Sequence, residues 1–464
     1  MLGLAALVAV LGVADGVDCG VELPGWPEPG AALQAVSRAP STIAPALAVV
    51  MIGRRATGGA PFHAGRLCAA GSLTAGRPAT LRPGCGAHRS RLASSMSVSG
   101  TDYSPGLKGV VAGETSLAMI DGARGRLLYR GYPIGELVER GTYAQVAELL
   151  WTGEWTSEAD RVRLACAPLP AVVVETLRQL PADSNAMDAL RTGLSAWGAE
   201  RGLSWPPSVE QARDVTAAAP SVLAAFGRIR DGLEPVDPDP SLSLAAGFLY
   251  QLHGERPQAA DARALEAYFI VGAEHGFNAS TFTARVIIST HSDMASAVVG
   301  AIGALKGPWH GGAPSEVVNQ LHEMGSSAEA EAWIRAALAR GERLMGFGHR
   351  VYRAYDPRAA ALRKEAEGLA SVAGWLQNAI AIEEIALRLL AEHKPDYPIK
   401  TNVEYYAAAV LQGVGLPPNL FPATFALARH AGWTAHALEQ AAANVLIRPD
   451  VRYVGPAERH LPTS

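Results

Sequence analysis

The stretch TNVEYYAAAVLQGVG, residues 401–415, reads as one buried helix carrying a single acid, Glu404, among alanines, tyrosines and valines. The same helical spacing recurs along the chain. Tyr143, Val146, Leu149 and Leu150 share a face, as do Val317, Val318, Leu321 and Met324, and again Ile382, Ile385 and Leu389. Breaks at SWPPS (204–208), LEPVDPDPS (233–241), KGPWHGGAP (306–314), GFGH (346–349) and LPPNLFP (416–422) separate these segments. One strand pair stands out, two short apolar runs within 109–133 divided by the turn signal Asp121-Gly122-Ala123-Arg124-Gly125. The fold class is therefore mainly α, with one small β-hairpin. No repeat of solenoid period is present.

The 464 residues are 49% hydrophobic and 18% charged, enough for a large core and more than one domain. A net charge of -4 with scattered lysines and arginines gives no nucleic-acid footprint, so no nucleic-acid partner is expected. Apolar runs such as 295–305 fall short of the roughly 18 residues a membrane span needs, and Asp293 and Lys306 flank that run; no membrane partner is expected.

Composition changes near residue 96. Residues 1–95 hold no lysine, and eight arginines against four acids give them a net +4, leaving -8 for the remainder. Three of the four cysteines (Cys19, Cys68, Cys85) lie there, and only Cys166 follows. The start MLGLAALVAVLGVADG is apolar like a signal peptide but has no basic n-region, and the acid-poor run 54–91 has a transit-like composition. The reading favoured here is a disordered leader, or sequence upstream of a start at Met96. With one cysteine beyond it, disulfides do not hold the fold, and a cytoplasmic location is expected.

Three histidines stand beside glycines in or near the breaks: His275 in AEHGFNAST, His310 in GPWHGGAP and His349 in MGFGHRVYRAYDPR. Glycine lets a ligand approach the backbone closely. A metal site is one reading of three histidines, but no HxxxH, HExxH or CxxC pairing supports it, and no metal is expected. Arg358, Arg429 and Arg448 follow the same logic for anions. The guanidinium fork suits carboxylates, and an idle charge in the apolar settings of Arg429 and Arg448 is costly; salt bridges within the protein are the plainer alternative. Glu404 shares its helix face with Ala407, Ala408 and Leu411, which leaves room for a ligand to reach it. A carboxyl in such surroundings should have a raised pKa suited to moving protons, unless an arginine or helix end holds it.

Taken together, seven stretches resemble the citrate synthases, particularly the short forms that include 2-methylcitrate synthases. They are GLKGVVAGETSLAMIDGARGRLLYRGYPI (106–134), GFNASTFTAR (276–285), ALKGPWHGGAPSEV (304–317), LMGFGHRVYRAYDPRA (344–359), TNVEYY (401–406), FALARHAGWTAH (425–436) and LIRPDVRYVGP (446–456). The resemblance implies a large helical domain over 96–310, a small one over 311–415 and a return to the large domain over 416–464, with a cleft between. It implies a homodimer that condenses acetyl-CoA with oxaloacetate and needs no permanently bound cofactor. His310 would stabilise the enol and Glu404 would remove the methyl proton. His349 would polarise the ketone, and His275, Arg358 and Arg429 would hold oxaloacetate. Arg448 would reach in from the partner subunit, and Leu344, Met345, Gly346, Phe347 and Gly348 would lie against CoA.

Two departures from the family pattern matter. The usual acid is an aspartate, NVD, where this chain has NVE, and Asp450 follows Arg448-Pro449 where a basic residue is commoner. One methylene changes the reach of the acid by about 1.5 Å. Two rival expectations remain, a synthase preferring propionyl-CoA and a non-catalytic homologue that binds CoA or dicarboxylates.

Overall fold

The computed structural model describes residues 103–310, 313–349, 351–369 and 373–462. The expected leader, residues 1–95, lies outside them. Fifteen α-helices and three short strands make up the regular structure among the described residues. β1 (Ala118–Asp121) and β2 (Arg126–Tyr129) form the expected hairpin, with Ala118 opposite Tyr129 and Asp121 opposite Arg126. Its turn closes because Asp121 Oδ1 accepts from the Arg124 amide and Gly125 adopts φ +63°. A third strand, β3 (Tyr132–Pro133), adds antiparallel to β2.

The helices follow as α1 (Ile134–Arg140), α2 (Tyr143–Thr152), α3 (Ala171–Arg178), α4 (Ala186–Arg201), α5 (Val209–Arg230), α6 (Leu244–His253), α7 (Ala259–Gly272), α8 (Ala279–Ile288) and α9 (Met294–Leu305). Then come α10 (Ala313–Met324), α11 (Ser327–Ala339), α12 (Pro357–Ala366), α13 (Ala373–His393), α14 (Val403–Gly413) and α15 (Phe421–Ala443). Each expected break separates two of them, but two breaks end early. Pro314 and Pro422 belong to the first turns of α10 and α15, positions where a missing N–H costs nothing.

Local signals set several starts. Thr142 and Gln145 form a reciprocal capping box on α2, Asn278 Oδ1 accepts from the Thr281 amide at the head of α8, and Asp356 caps α12 ahead of Pro357.

α15 is the centre of the large helical group. It touches α2, α4, α5, α7, α8 and α9, and it is buried on every side from Ala426 to Ala437. Its interior carries polar side chains, among them Arg429, His430, Thr434 and His436, each under 3% exposed. α14, the helix of the opening stretch, packs on α12, α10 and α7 with nine of its eleven residues buried. Apolar burial of this kind holds the site helices in place at roughly 25 cal/mol per Å².

Beyond α15 the chain has no regular structure from 445 to 462, and Val451, Tyr453 and Val454 are exposed. No helix among the described residues is long and apolar enough to cross a membrane.

Candidate active site

A cleft of about 840 Å³ opens where helix ends converge. His275 and Asn278 enter from the α7–α8 connection, Trp309 and His310 from just after α9, and residues 344–349 from between α11 and α12. Arg358 comes from the first turn of α12, Asn402 and Glu404 from the start of α14, and Phe425 and Arg429 from α15. Every residue singled out in the sequence lines this cleft except Arg448, which is exposed in the segment after α15.

The tautomers of two histidines follow from their neighbours. The Ser280 backbone N–H donates to Nε2 of His310 at 3.3 Å, and the Ser280 hydroxyl lies 2.9 Å from the same nitrogen. An amide cannot accept, so Nε2 is the acceptor and the neutral ring keeps its proton on Nδ1. Burial and the nearby Arg429 charge both lower the His310 pKa, which favours that neutral form. Trp433 Nε1 in turn donates to the Ser280 hydroxyl at 3.1 Å, holding it against the ring.

His349 has the opposite arrangement. Its Nδ1 accepts from the amides of Val351 and Tyr352 at 3.0 and 3.1 Å, so the proton sits on Nε2. Burial first, then Arg358, pushes the His349 pKa down to about 4. Nε2 lies 3.4 Å from Arg358 Nη2. Two donors converge there, and an acceptor placed between them would satisfy both. His275 joins the group, with Nε2 3.3 Å from the Tyr352 hydroxyl and its ring edge-on to His349 at 5.5 Å. Burial, reinforced by Arg358 and Arg429, lowers its pKa well below the usual histidine range.

The two arginines differ in how they are held. Arg358, 4% exposed, is clamped by Asp356 through Nε at 3.0 Å and Nη2 at 2.8 Å. Burial opposes its charge, but Asp356 outweighs that and raises the Arg358 pKa. Arg429, 2% exposed, makes no ion pair among the described residues. Nε donates to the Gly272 carbonyl at 2.6 Å and the guanidinium lies 4.8 Å from the Phe425 ring centre. Burial lowers its pKa, with Glu274 only partly compensating. A buried guanidinium without an ion pair, facing a cleft, suits an anionic group.

Glu404 is partly buried, and its Oε2 is shielded from solvent with no hydrogen-bond partner among the described residues. Burial raises its pKa against the opposing pull of Arg358. Of the two ways the acid could be tied up, the arginine is taken by Asp356, whose carboxylate holds the Arg358 fork; the first turn of α14 contributes a backbone hydrogen bond to the Glu404 carboxyl, and Oε2 keeps no partner among the described residues.

Backbone geometry shapes the 344–348 wall. Gly348 N–H donates to the Lys400 carbonyl at 2.8 Å, Asn402 N–H to the Gly346 carbonyl at 3.0 Å, and Asn402 Nδ2 to the Gly348 carbonyl at 2.8 Å. Gly346 has φ +84°, and a Cβ there would meet Tyr405 Cδ2 at 2.7 Å. The loop is thereby tied to the residues just before Glu404.

Several contributors escaped the sequence reading. Asp356 was legible as an N-cap before Pro357. Asn278 is marked in the same way, as the N-cap of α8, whereas Ser280, Asn402, Phe425 and Tyr352 act through contacts 30 or more residues away, or by lining the cleft, and no local pattern marks their roles.

The fold and cleft together define a mainly helical protein whose cleft gathers three histidines, two buried arginines and a partly buried acid, with no cluster of metal-ligating side chains among the described residues. A family model described as citrate synthase, C-terminal domain, matches residues 106–450, and the chain belongs to the citrate synthase family. It is an acyltransferase of the citrate (Si)-synthase type.

The chain is 41% identical over 367 residues to a citrate synthase of Haloferax volcanii, covering 75% of this chain and 95% of that protein. It is 39% identical over 371 residues to a 2-methylcitrate synthase of Mycobacterium tuberculosis, covering 78% and 93%. Among solved structures it resembles citrate synthase from Thermotoga maritima (TM-score 0.66, 37% identity, 77% of this chain and 97% of that one). It also resembles the Thermoplasma acidophilum citrate synthase solved as a ternary complex with carboxymethyl coenzyme A and oxaloacetate (TM-score 0.70, 32% identity, 78% and 98%).

Proposed function

We propose that this protein condenses acetyl-CoA with oxaloacetate and water to give citrate and CoA. The observation that carries the proposal is the Glu404 carboxyl, with Oε2 unpartnered among the described residues, in one cleft with two neutral histidine donors and Arg429, which makes no ion pair among them.

In this reading oxaloacetate lies across Arg358 and Arg429, its ketone oxygen between His349 Nε2–H and the His275 side. Glu404 takes a proton from the acetyl methyl group while His310 Nδ1–H donates to the thioester oxygen, so negative charge appears where a donor already points. The enol carbon then bonds to the ketone carbon of oxaloacetate, His349 Nε2–H hydrogen-bonds the new alkoxide as it forms, and the proton taken up by Glu404 is returned to that oxygen, leaving both His349 and Glu404 as they began. Water finally cleaves the thioester, releasing citrate and CoA thiol.

The 344–348 backbone would lie along CoA, which arrives as substrate; no cofactor stays bound. The proposal includes a small domain over 311–415 closing on the rest, which would exclude water until condensation is complete. It also includes a cytoplasmic homodimer, serving the tricarboxylic acid cycle, in which Arg448 completes the partner subunit's site. The exposure of Arg448 outside its own cleft supports that last element.

A propionyl-CoA preference giving 2-methylcitrate is the second reading, and relatives of nearly equal identity carry each name. One methylene in an apolar pocket discriminates only about 10- to 200-fold. Thiol release with oxaloacetate, comparing kcat/KM for acetyl-CoA and propionyl-CoA, decides between them. A ratio above one for acetyl-CoA is expected; a ratio below one makes it a 2-methylcitrate synthase, and no thiol release from either thioester indicates a non-catalytic homologue.

A further inference from the structure

Glu383 lies on α13, is 3% exposed and does not line the cleft. An acid so deeply buried needs several partners. It has them, and they come from the elements that carry the proposed chemistry. Thr401 Oγ1 donates to Glu383 Oε1 at 2.5 Å, and the Tyr406 hydroxyl donates to Oε2. The Tyr355 hydroxyl reaches Oε1 at 3.5 Å, and Arg363 Nη1 on α12 stands 3.5 Å from Oε2. One turn earlier on α13, the Ala379 carbonyl accepts from the Tyr405 hydroxyl at 2.6 Å.

The placement of these contacts along α14 is what gives them meaning. Thr401 and Tyr406 flank Glu404, one before the helix and one inside it. Tyr406 is two residues beyond Glu404, about 200° around the helix at 100° per residue, so the two side chains leave on roughly opposite sides. Glu404 faces the cleft, and Tyr406 is drawn to Glu383 behind it. A two-point attachment on the back of a helix fixes both its rotation and its depth. We propose that Glu383 is a positioning residue that sets the rotation and depth at which α14 presents Glu404 to the cleft.

This proposal rests on Glu404 being the base. A proton transfer falls off steeply with about 1 Å of misplacement, so a distant anchor can control rate without touching substrate.

The test uses the full chain and five variants, E383Q, Y406F, E404D, E383Q/E404D and E404A, assayed by thiol release from acetyl-CoA with oxaloacetate. Glutamine keeps the shape of Glu383 but turns one acceptor into a donor. For E383Q, kcat should fall at least tenfold while KM for both substrates stays within threefold, and Y406F should fall in the same direction by about a third to a half as much on a logarithmic scale. The discriminating readout is the double variant. If Glu383 acts through the position of Glu404, the losses of E383Q and E404D are not multiplicative, and the double variant stays within threefold of the worse single one.

A kcat for E383Q within twofold of wild type, or a double variant whose loss is the product of the singles, overturns the proposal. Should E383Q fail to fold, Y406F carries the test: it removes a single hydroxyl, and an unchanged kcat in it rejects the anchor. If wild type is active and E404A is not, a normal E383Q rejects this inference alone. If E404A is as active as wild type, the base assignment fails first.

Discussion

The Ser280 backbone N–H donates to Nε2 of His310 at 3.3 Å, and that bond leaves Nδ1 as the only ring nitrogen able to donate to a substrate. The donor comes from the first turn of α8, where free amides point outward. Because the main chain supplies it, the tautomer should survive loss of the Ser280 side chain. S280A is expected to keep kcat within tenfold of wild type, whereas H310A should lose at least a hundredfold, the usual scale for removing an oxyanion donor. Steady-state thiol release from both variants checks this, and equal losses would show that the hydroxyl, not the amide, sets the ring.

Arg429 is a charge kept out of water with no ion pair among the described residues, Glu274 offsetting its burial only in part. Replacing it by methionine should leave Tm unchanged or raise it in the absence of ligand, because the desolvation cost disappears. The same variant should lose the rise in Tm that oxaloacetate gives wild type, since the linkage requires binding to the folded state. Differential scanning fluorimetry with and without oxaloacetate reads both effects. A drop of Tm without ligand would mean that Arg429 is structural first.

Gly346 holds φ +84° against Tyr405, where an added methyl would meet the ring at 2.7 Å. G346A should therefore destabilise the protein by about 1–3 kcal/mol and raise KM for acetyl-CoA more than for oxaloacetate. Urea unfolding and the two KM values measure it. An increase confined to oxaloacetate would move the CoA wall elsewhere.

His430 is buried in α15 with Nδ1 2.6 Å from the Ala426 carbonyl and Nε2 unpartnered among the described residues. Burial lowers its pKa from 6.5 to about 4. A depressed histidine pKa means that the unfolded chain takes up the proton first. The neutral ring's contribution is thus fully present above pH 6.5 and is lost as pH falls toward 4, by up to about 1.4 kcal/mol per unit. His349 adds to the loss over the same window, discounted for its partial exposure. Urea midpoints should decline between pH 7 and 5 in wild type and decline less in H430N. Parallel slopes would remove His430 from the explanation.

Much of the site was readable because its chemistry sits at glycine-framed breaks. His310, His349 and the 344–348 loop mark themselves by composition, and α14 by its apolar run. What the sequence hides is the support behind those groups. Ser280 and Glu383 act by contacts that only folding creates, 30 and 18 positions away along the chain: Ser280 to His310, Glu383 to Thr401. The early ends of two breaks came from proline's double meaning, a stop inside a helix and a good residue in its first turn.

Glu404 is the hinge of the whole reading, an acid with a raised pKa, an unpartnered oxygen and a neutral donor across the cleft. The rate of thiol release from acetyl-CoA at saturating oxaloacetate, in E404A against wild type, tests it most directly. A loss of at least a hundredfold, about 2.7 kcal/mol of barrier, is the predicted result. Turnover equal to wild type would contradict it.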